Sequence, residues 1–197
     1  MAVATIDDGK VTIDNTAFTD THSTIGLSAT IYSYVPTPPR APIITVTNST
    51  FTSSTRDAIF QVSAGTLSIS NSSMTITSVD GEGMRLSTGD GALTFTLTSS
   101  TLTGPGNVVL ISSDPGAAAT ATIDQSVLIT KGDTAGAAGS RPLRLNRTGA
   151  AALTLTLNRT TIKHLAAGTN TVVLETAGIG VPTINSTLNL NLFCNVG

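Results

Sequence analysis

The residues in this sequence that could best bind a metal ion or transfer a proton are carboxylates grouped around an arginine. Asp80, Glu82 and Asp90 flank Arg85 in the segment SVDGEGMRLSTGDG. Carboxylates are ligands that Ca²⁺ prefers, and a basic side chain beside them could accept a proton. The spacing matches no calcium-loop signature, however, and D-G-E-G and G-D-G are ordinary turn sequences. We therefore predict turns here and no metal site.

The remaining titratable residues form no recognisable catalytic arrangement. His22 and His164 are isolated in sequence, and no Ser or Cys lies in a nucleophile elbow. The sequence thus predicts no catalytic residue, no cofactor and no enzymatic activity. One basic concentration is present and is predicted to be a solvated face, made of Arg141, Arg144, Arg147, Arg159 and Lys163.

Composition narrows the class of protein. Charged residues make up 11% of the 197 residues and the net charge is -2, so no basic field is available for nucleic acid. The apolar runs are far shorter than the roughly 18 residues of a membrane span. With 4% aromatic residues and abundant Thr, Ser, Gly and Ala, the chain suits many short strands.

Cys194, the single cysteine, has apolar neighbours and is predicted to be a small buried hydrophobe.

One eight-residue phrase recurs along the chain with substitutions. Its six copies are VTIDNTAF, ITVTNSTF, LSISNSSM, FTLTSSTL, ATIDQSVL and LTLNRTTI, and a shorter seventh is TINSTL at 183–188. A repeat of roughly 20 to 35 residues is typical of a solenoid. The anchors that end the six full copies lie 23 to 34 residues apart, at Phe18, Phe51, Met74, Leu102, Leu128 and Ile162.

The aligned phrases have an alternating pattern. The first and third positions are apolar in every copy, which is the period of a strand with one buried face. The fifth position, Asn in three copies, is predicted to be a corner because Asn tolerates the left-handed conformation. The second position is predicted to form an outward hydroxyl ladder, made of Thr12, Thr45, Ser68, Thr96, Thr122 and Thr156.

A second apolar strand and then a glycine follow the phrase in most repeats. The first of these second strands is predicted at 25–31. Each repeat therefore comprises strand, corner, loop, strand and glycine turn, and a single repeat cannot bury its own apolar edge. We predict an all-β fold, a single-stranded parallel β-helix of about six to seven coils that forms one domain over 1–197. The alternative is a β-sandwich, which would require hairpin turns.

The repeated T-x-T-x-N-S-T-Φ phrase, in which Φ is apolar, and its Asn corner cover nearly the whole chain. In these features the sequence resembles the right-handed parallel β-helices of the pectin-lyase-like fold, and most closely the passenger domains of Gram-negative autotransporter adhesins. The resemblance implies a right-handed stack displayed as a stiff rod, secreted or on a bacterial cell surface. No basic and apolar leader precedes Ala2, so we expect that any export signal was removed or lies outside this chain.

Two loops interrupt the predicted repeat, and function in a solenoid tends to lie in such loops. The segment 32–42 has two tyrosines and four prolines, and Tyr32, Tyr34 and Arg40 are its candidate ligand residues. The segment 131–141 leaves from a different corner, so the two are not expected to form one cleft. For the segment 32–42 the alternative is a rigid decoration that shields the stack.

Three functions remain open from the sequence. The first is a structural or adhesive solenoid whose partner is a host or cell-surface glycan or protein, or a second copy stacked end to end into a fibre. The second is an ice-binding protein that uses outward Thr-x-Thr pairs such as Thr94 with Thr96, although Asp14 and Asp124 would disturb a flat array. The third, which the resemblance also allows, is a Ca²⁺-dependent polysaccharide lyase or a tailspike-like depolymerase.

Overall fold

All the regular structure in the described residues is β-strand. No helix there is long and apolar enough to cross a membrane. The computed structural model describes residues 3–5, 9–20, 29–34, 41–53, 57–62, 64–77, 82–89, 91–113, 116–131, 141–148, 151–165, 172–177, 184–189 and 191–195.

The strands form three sheets of seven strands each, in which every neighbouring pair is parallel. Sheet A consists of β1 (Val3–Thr5), β4 (Ala29–Tyr34), β7 (Asp57–Val62), β10 (Glu82–Ser87), β13 (Val109–Ser113), β16 (Leu143–Thr148) and β19 (Val172–Ala177). Sheet B consists of β2 (Lys10–Asp14), β5 (Ile43–Thr47), β8 (Gly65–Ser70), β11 (Leu93–Thr98), β14 (Ala119–Asp124), β17 (Leu153–Asn158) and β20 (Ile184–Asn189). Sheet C consists of β3 (Ala17–Asp20), β6 (Thr50–Ser53), β9 (Ser73–Ile76), β12 (Thr101–Gly104), β15 (Val127–Thr130), β18 (Thr161–His164) and β21 (Leu192–Asn195).

Every third strand returns to the same sheet, so the chain is a parallel β-solenoid, as the repeat predicts. The number of strands in each turn differs from the prediction, because the end of each phrase forms a strand of its own in sheet C. After Asp14, for example, only Asn15 and Thr16 separate β2 from β3. The repeat therefore contains three strands and not two.

The apolar positions of the phrase stack inside the solenoid. Within sheet B, Phe95 pairs in register with Leu67 on one side and Ala121 on the other, and all three are buried. Side chains of like position lie about 4.8 Å apart on neighbouring parallel strands, so this apolar column is continuous from Val11 in β2 to Leu155 in β17. The anchors form such a column in sheet C, which opens with Phe18 stacked on Phe51 at 4.8 Å between ring centroids.

The seventh repeat has a different register from the predicted one. In β20, Asn185 pairs with Thr154 and Thr187 pairs with Thr156. Asn185 therefore lies within a strand and not at a corner, so the interpretation of TINSTL as a copy of the corner phrase was wrong. Pairing is set by the apolar column, in which Leu188 follows Leu157, and not by the letters N-S-T.

The predicted corner is a residue in the left-handed conformation at the same position of each full phrase. The φ angles of all six lie between 48° and 51°, a region that costs most L-residues about 1–2 kcal/mol and that Asn tolerates best. The backbone N–H of the corner residue still donates to the next turn, as from Asn71 to the carbonyl of Thr98 at 3.1 Å. The six corner residues are Asn15, Asn48, Asn71, Ser99, Gln125 and Arg159.

A second hydroxyl ladder lies inside the solenoid, one residue after the corner. The Ser72 N–H donates to the Ser100 hydroxyl oxygen at 3.1 Å, and that hydroxyl donates to the carbonyl of Thr98 at 2.8 Å. The Ser49 N–H donates to the Ser72 hydroxyl oxygen in the same way, at 3.1 Å. These hydroxyls accept from backbone groups that the bend removes from the regular strand ladder. The buried members of this column are Ser49, Ser72, Ser100, Ser126 and Thr160.

The inner ladder ends in an amide. In the seventh turn Asn191 occupies the position of the hydroxyl residue, and its side-chain oxygen accepts from the Thr160 N–H at 2.9 Å. Its side-chain nitrogen donates to the carbonyl of Leu157, also at 2.9 Å. An amide thus replaces a hydroxyl because it too offers both a donor and an acceptor.

Replacing Ser100 with alanine tests the inner ladder. Ser100→Ala leaves the buried Ser72 N–H without its acceptor, which costs about 1–3 kcal/mol of unfolding free energy. The matched control is Ser73→Ala, at an exposed position of β9, where the change stays within about 0.5 kcal/mol. Urea unfolding followed by circular dichroism measures both, and equal midpoints for the two variants would contradict a structural role for the hydroxyl.

Candidate functional site

The predicted outward hydroxyls lie in one column of sheet B, the second outward column. Thr96 pairs in register with Ser68 and Thr122, and the pairing continues in both directions along the sheet. The column contains a hydroxyl in all seven strands, because Thr187 of β20 continues it. At about 4.8 Å between strands it extends about 29 Å. Its members are Thr12, Thr45, Ser68, Thr96, Thr122, Thr156 and Thr187.

A first outward column lies beside it, two residues earlier in each strand. In the four strands β8, β11, β14 and β17, this column is threonine throughout. We call the eight hydroxyl residues of these four strands the threonine face. It consists of Thr66, Thr94, Thr120 and Thr154 in the first column and Ser68, Thr96, Thr122 and Thr156 in the second, and all eight are exposed or half-buried.

A third outward column borders the corner and contains two acidic residues of sheet B, Asp14 and Asp124, whereas Lys10 of β2 lies at the start of the first outward column. Asp124 accepts from the guanidinium of Arg159 through both carboxylate oxygens, with Nη2 at 2.9 Å from Oδ1 and 2.8 Å from Oδ2. Arg159 is itself a corner residue, so this ion pair lies at the edge of the sheet. A planar guanidinium that binds both oxygens fixes the direction of the carboxylate. The carboxylate of Asp124 is therefore directed toward the corner residue Arg159.

Asp14 is engaged in a similar way at the first turn. Its Oδ1 accepts from the hydroxyl of Thr47 and from the side-chain amide of Asn48, the latter at 2.9 Å. The Thr47 hydrogen bond, followed by that of Asn48 and by a weaker one from the Asn15 backbone, lowers the pKa of Asp14 below its ordinary value of 3.8. Hydrogen bonds to the ionised form favour that form.

The predicted carboxylate cluster is only partly within the described residues. Asp80 and Asp90 lie outside them, whereas Glu82 begins β10. One Glu82 oxygen accepts from the Asn107 amide at 3.1 Å, and the other lies 3.6 Å from Nε of Arg85. Asp57 of the preceding turn accepts from the Glu82 N–H at 3.3 Å. Glu82 therefore belongs to a polar ladder at the corner that enters sheet A.

The other titratable residues are distributed over the structure. His164 is buried in β18, and His22 lies outside the described residues. Arg144 is in sheet A and Lys163 is in sheet C, so the basic residues do not form one face. Cys194 is half-buried in β21, so the prediction that it is a buried residue was wrong. In the part of the chain that the structure describes, no three His, Cys, Asp or Glu residues are grouped to hold a metal ion.

The candidate ligand loop begins later than predicted. Strand β4 extends from Ala29 to Tyr34, so the backbone of Tyr32 and Tyr34 lies in sheet A, opposite Phe60 and Val62. The predicted start of this strand at residue 25 and the candidate Arg40 lie outside the described residues, as do 132–140 of the second loop. The loop interpretation of the two tyrosines was therefore wrong at the level of the backbone.

Searches of protein-family models, of curated proteins and of solved structures found no match to this chain.

Acidification tests the hydrogen bonds of Asp14. Because the pKa of Asp14 is lower in the folded state than in the unfolded state, its ionised form stabilises the fold above about pH 4, and this contribution is lost as the pH falls through the folded-state pKa. Urea midpoints of the native chain and Asp14→Asn should differ at pH 7 and converge as the pH falls through the folded-state pKa of Asp14. A difference that is constant with pH would contradict this assignment.

Proposed function

We propose that this chain is a structural or adhesive β-solenoid of the cell surface or extracellular space, without catalytic activity. The observation that carries the proposal is the regularity of sheet B, in which seven strands stack in register and expose an uninterrupted hydroxyl column. A surface of this kind offers many equivalent contacts along a rod, whereas catalysis requires a few converging groups of different chemistry.

The surroundings of the described charged groups support the same proposal. Glu82 is engaged by Arg85 and Asn107, and Asp124 is engaged by Arg159. Each of these two carboxylates therefore binds a neighbouring side chain at a corner of the solenoid. The finer assignment, a right-handed helix of the pectin-lyase-like kind similar to an autotransporter passenger, belongs to this proposal and rests on the T-x-T-x-N-S-T-Φ phrase.

End-to-end association of copies is also part of the proposal. Leu188 and Phe193 continue the buried columns of Leu157 and Ile162, but they are 57% and 42% exposed. A further strand stacked in the same register would bury both side chains, at about 25 cal/mol for each Å² removed from water. The partner that we propose is a second copy of this chain, or host glycan or protein on the sides of the rod.

A combined binding and turnover assay tests the proposal. The purified chain is incubated with a panel of acidic and neutral glycans and matrix proteins, with and without Ca²⁺. Retention is measured together with the release of reducing ends or unsaturated products, and electron microscopy records the length of the particles. We expect rods or fibres, or retention on the panel, without product.

The variant Glu82→Gln is the control that distinguishes a structural or adhesive protein from a depolymerase. Product that forms with the native chain and disappears with Glu82→Gln would contradict the proposal and support a depolymerase. Retention that is lost in a Tyr32→Ala, Tyr34→Ala and Arg40→Ala triple variant would assign binding to the two tyrosines of β4 together with Arg40. Monomeric particles that bind nothing would also contradict the proposal.

A further inference from the structure

We propose that the threonine face binds ice, the crystalline form of water. This activity does not depend on the proposed adhesive role. It uses one sheet of the solenoid, and its ligand is neither a glycan nor a protein. The face is defined by position alone, in the first and second outward columns of β8, β11, β14 and β17.

The spacing of the hydroxyls is the first argument. In a parallel sheet, equivalent side chains repeat about every 4.8 Å across strands and about every 6.6 Å along a strand, since each residue advances about 3.3 Å. Thr94 and Thr96 give one such pair, and Thr120 and Thr122 repeat it in the next strand in exact register. The result is a two-dimensional lattice of hydroxyl groups. The surface of a crystal is a ligand that also repeats in two dimensions.

The rigidity of the array is the second argument. Threonine is β-branched and therefore has few rotamers, so equal backbone positions favour equal directions for hydroxyl and methyl groups. Among the described residues, none of the eight side chains of the face has a hydrogen bond to another protein group. The hydroxyls are thus available to water. Ordering a water molecule costs entropy, and a regular array of hydroxyls that bind water at fixed positions reduces that cost.

The position of the charges is the third argument. Ions attract liquid water in shells whose geometry differs from that of a crystal, so charges within the face would oppose ice binding. The two charged side chains of the third column, Asp14 and Asp124, are held at the corner by Thr47 and Asn48 and by Arg159. The threonine face itself contains no charged residue.

The chemistry of the face favours ice over a crystalline polysaccharide. Sugars are commonly bound by aromatic rings that stack on their apolar faces, and by polar groups placed for one sugar ring. The eight residues of the face are seven threonines and one serine, Ser68, without an aromatic ring. A regular array of hydroxyl groups suits a lattice of water molecules, which offers the same donor and acceptor at every point.

Thermal hysteresis and inhibition of ice recrystallisation test the inference. Thr122 lies near the centre of the face, and Thr122→Tyr introduces a ring that lifts the ice surface from the neighbouring hydroxyls. The matched control is Thr75→Tyr, the same substitution at an exposed outward position of β9 in sheet C. We expect hysteresis with the native chain, a several-fold loss with Thr122→Tyr and no loss with Thr75→Tyr, with circular dichroism verifying that each variant is folded.

A smaller substitution covers the case in which Thr122→Tyr does not fold. Thr122→Ser keeps the hydroxyl but removes the methyl group that restricts the side chain, and we again expect weaker hysteresis. The inference is overturned if the native chain at millimolar concentration shows neither hysteresis nor inhibition of recrystallisation. It is also overturned if the variants of sheets B and C lose activity equally, or if the native chain is retained on cellulose or chitin and is inactive on ice.

Discussion

The structure depends on how the chain turns a corner without losing its backbone hydrogen bonds. A parallel sheet cannot bend sharply at full pairing, and a buried unpaired N–H costs about as much as a lost hydrogen bond. Here one residue in the left-handed conformation makes the bend, and the next residue supplies a buried hydroxyl. That hydroxyl accepts from the N–H of the previous turn, as Ser100 does from Ser72 at 3.1 Å. Because the same device recurs in successive turns, all turns bend at the same point and remain in register.

The regular surface follows from this regular corner. If one turn bent a residue earlier, each side chain of its strand would move to the opposite side of the sheet. The repeated corner instead holds Thr96, Ser68 and Thr122 at the same height on neighbouring strands. It also holds Asp124 at the edge of the sheet, because Arg159 is a corner residue and binds Asp124 there. Both the structural proposal and the ice-binding proposal therefore use a surface whose strands the repeated corner keeps in register.

Much of this arrangement could be predicted from the sequence, because period-2 apolar patterns and a recurrent Asn each have a direct physical meaning. The columns of Phe95 and Phe18 and the left-handed corner agree with the prediction. The inner ladder was missed because serine is usually exposed, so Ser100 did not suggest a core position. Its signal was present, since the sixth position of the phrase is Ser or Thr in all six copies. The register of Asn185 was missed because the segment was aligned on its N-S-T motif, whereas the strand pairs through the apolar column that contains Leu188.

Amide hydrogen exchange followed by NMR tests the inner ladder most directly. The amides of Ser49, Ser72 and Ser100 donate to hydroxyl oxygens of the next turn, at 3.1 to 3.2 Å. If these bonds hold the corners, the three amides exchange as slowly as the central strand amides of sheet B, since opening them requires unfolding of the stack. Exchange of the three amides at the rate of exposed loop amides, with sheet B protected, would contradict the account.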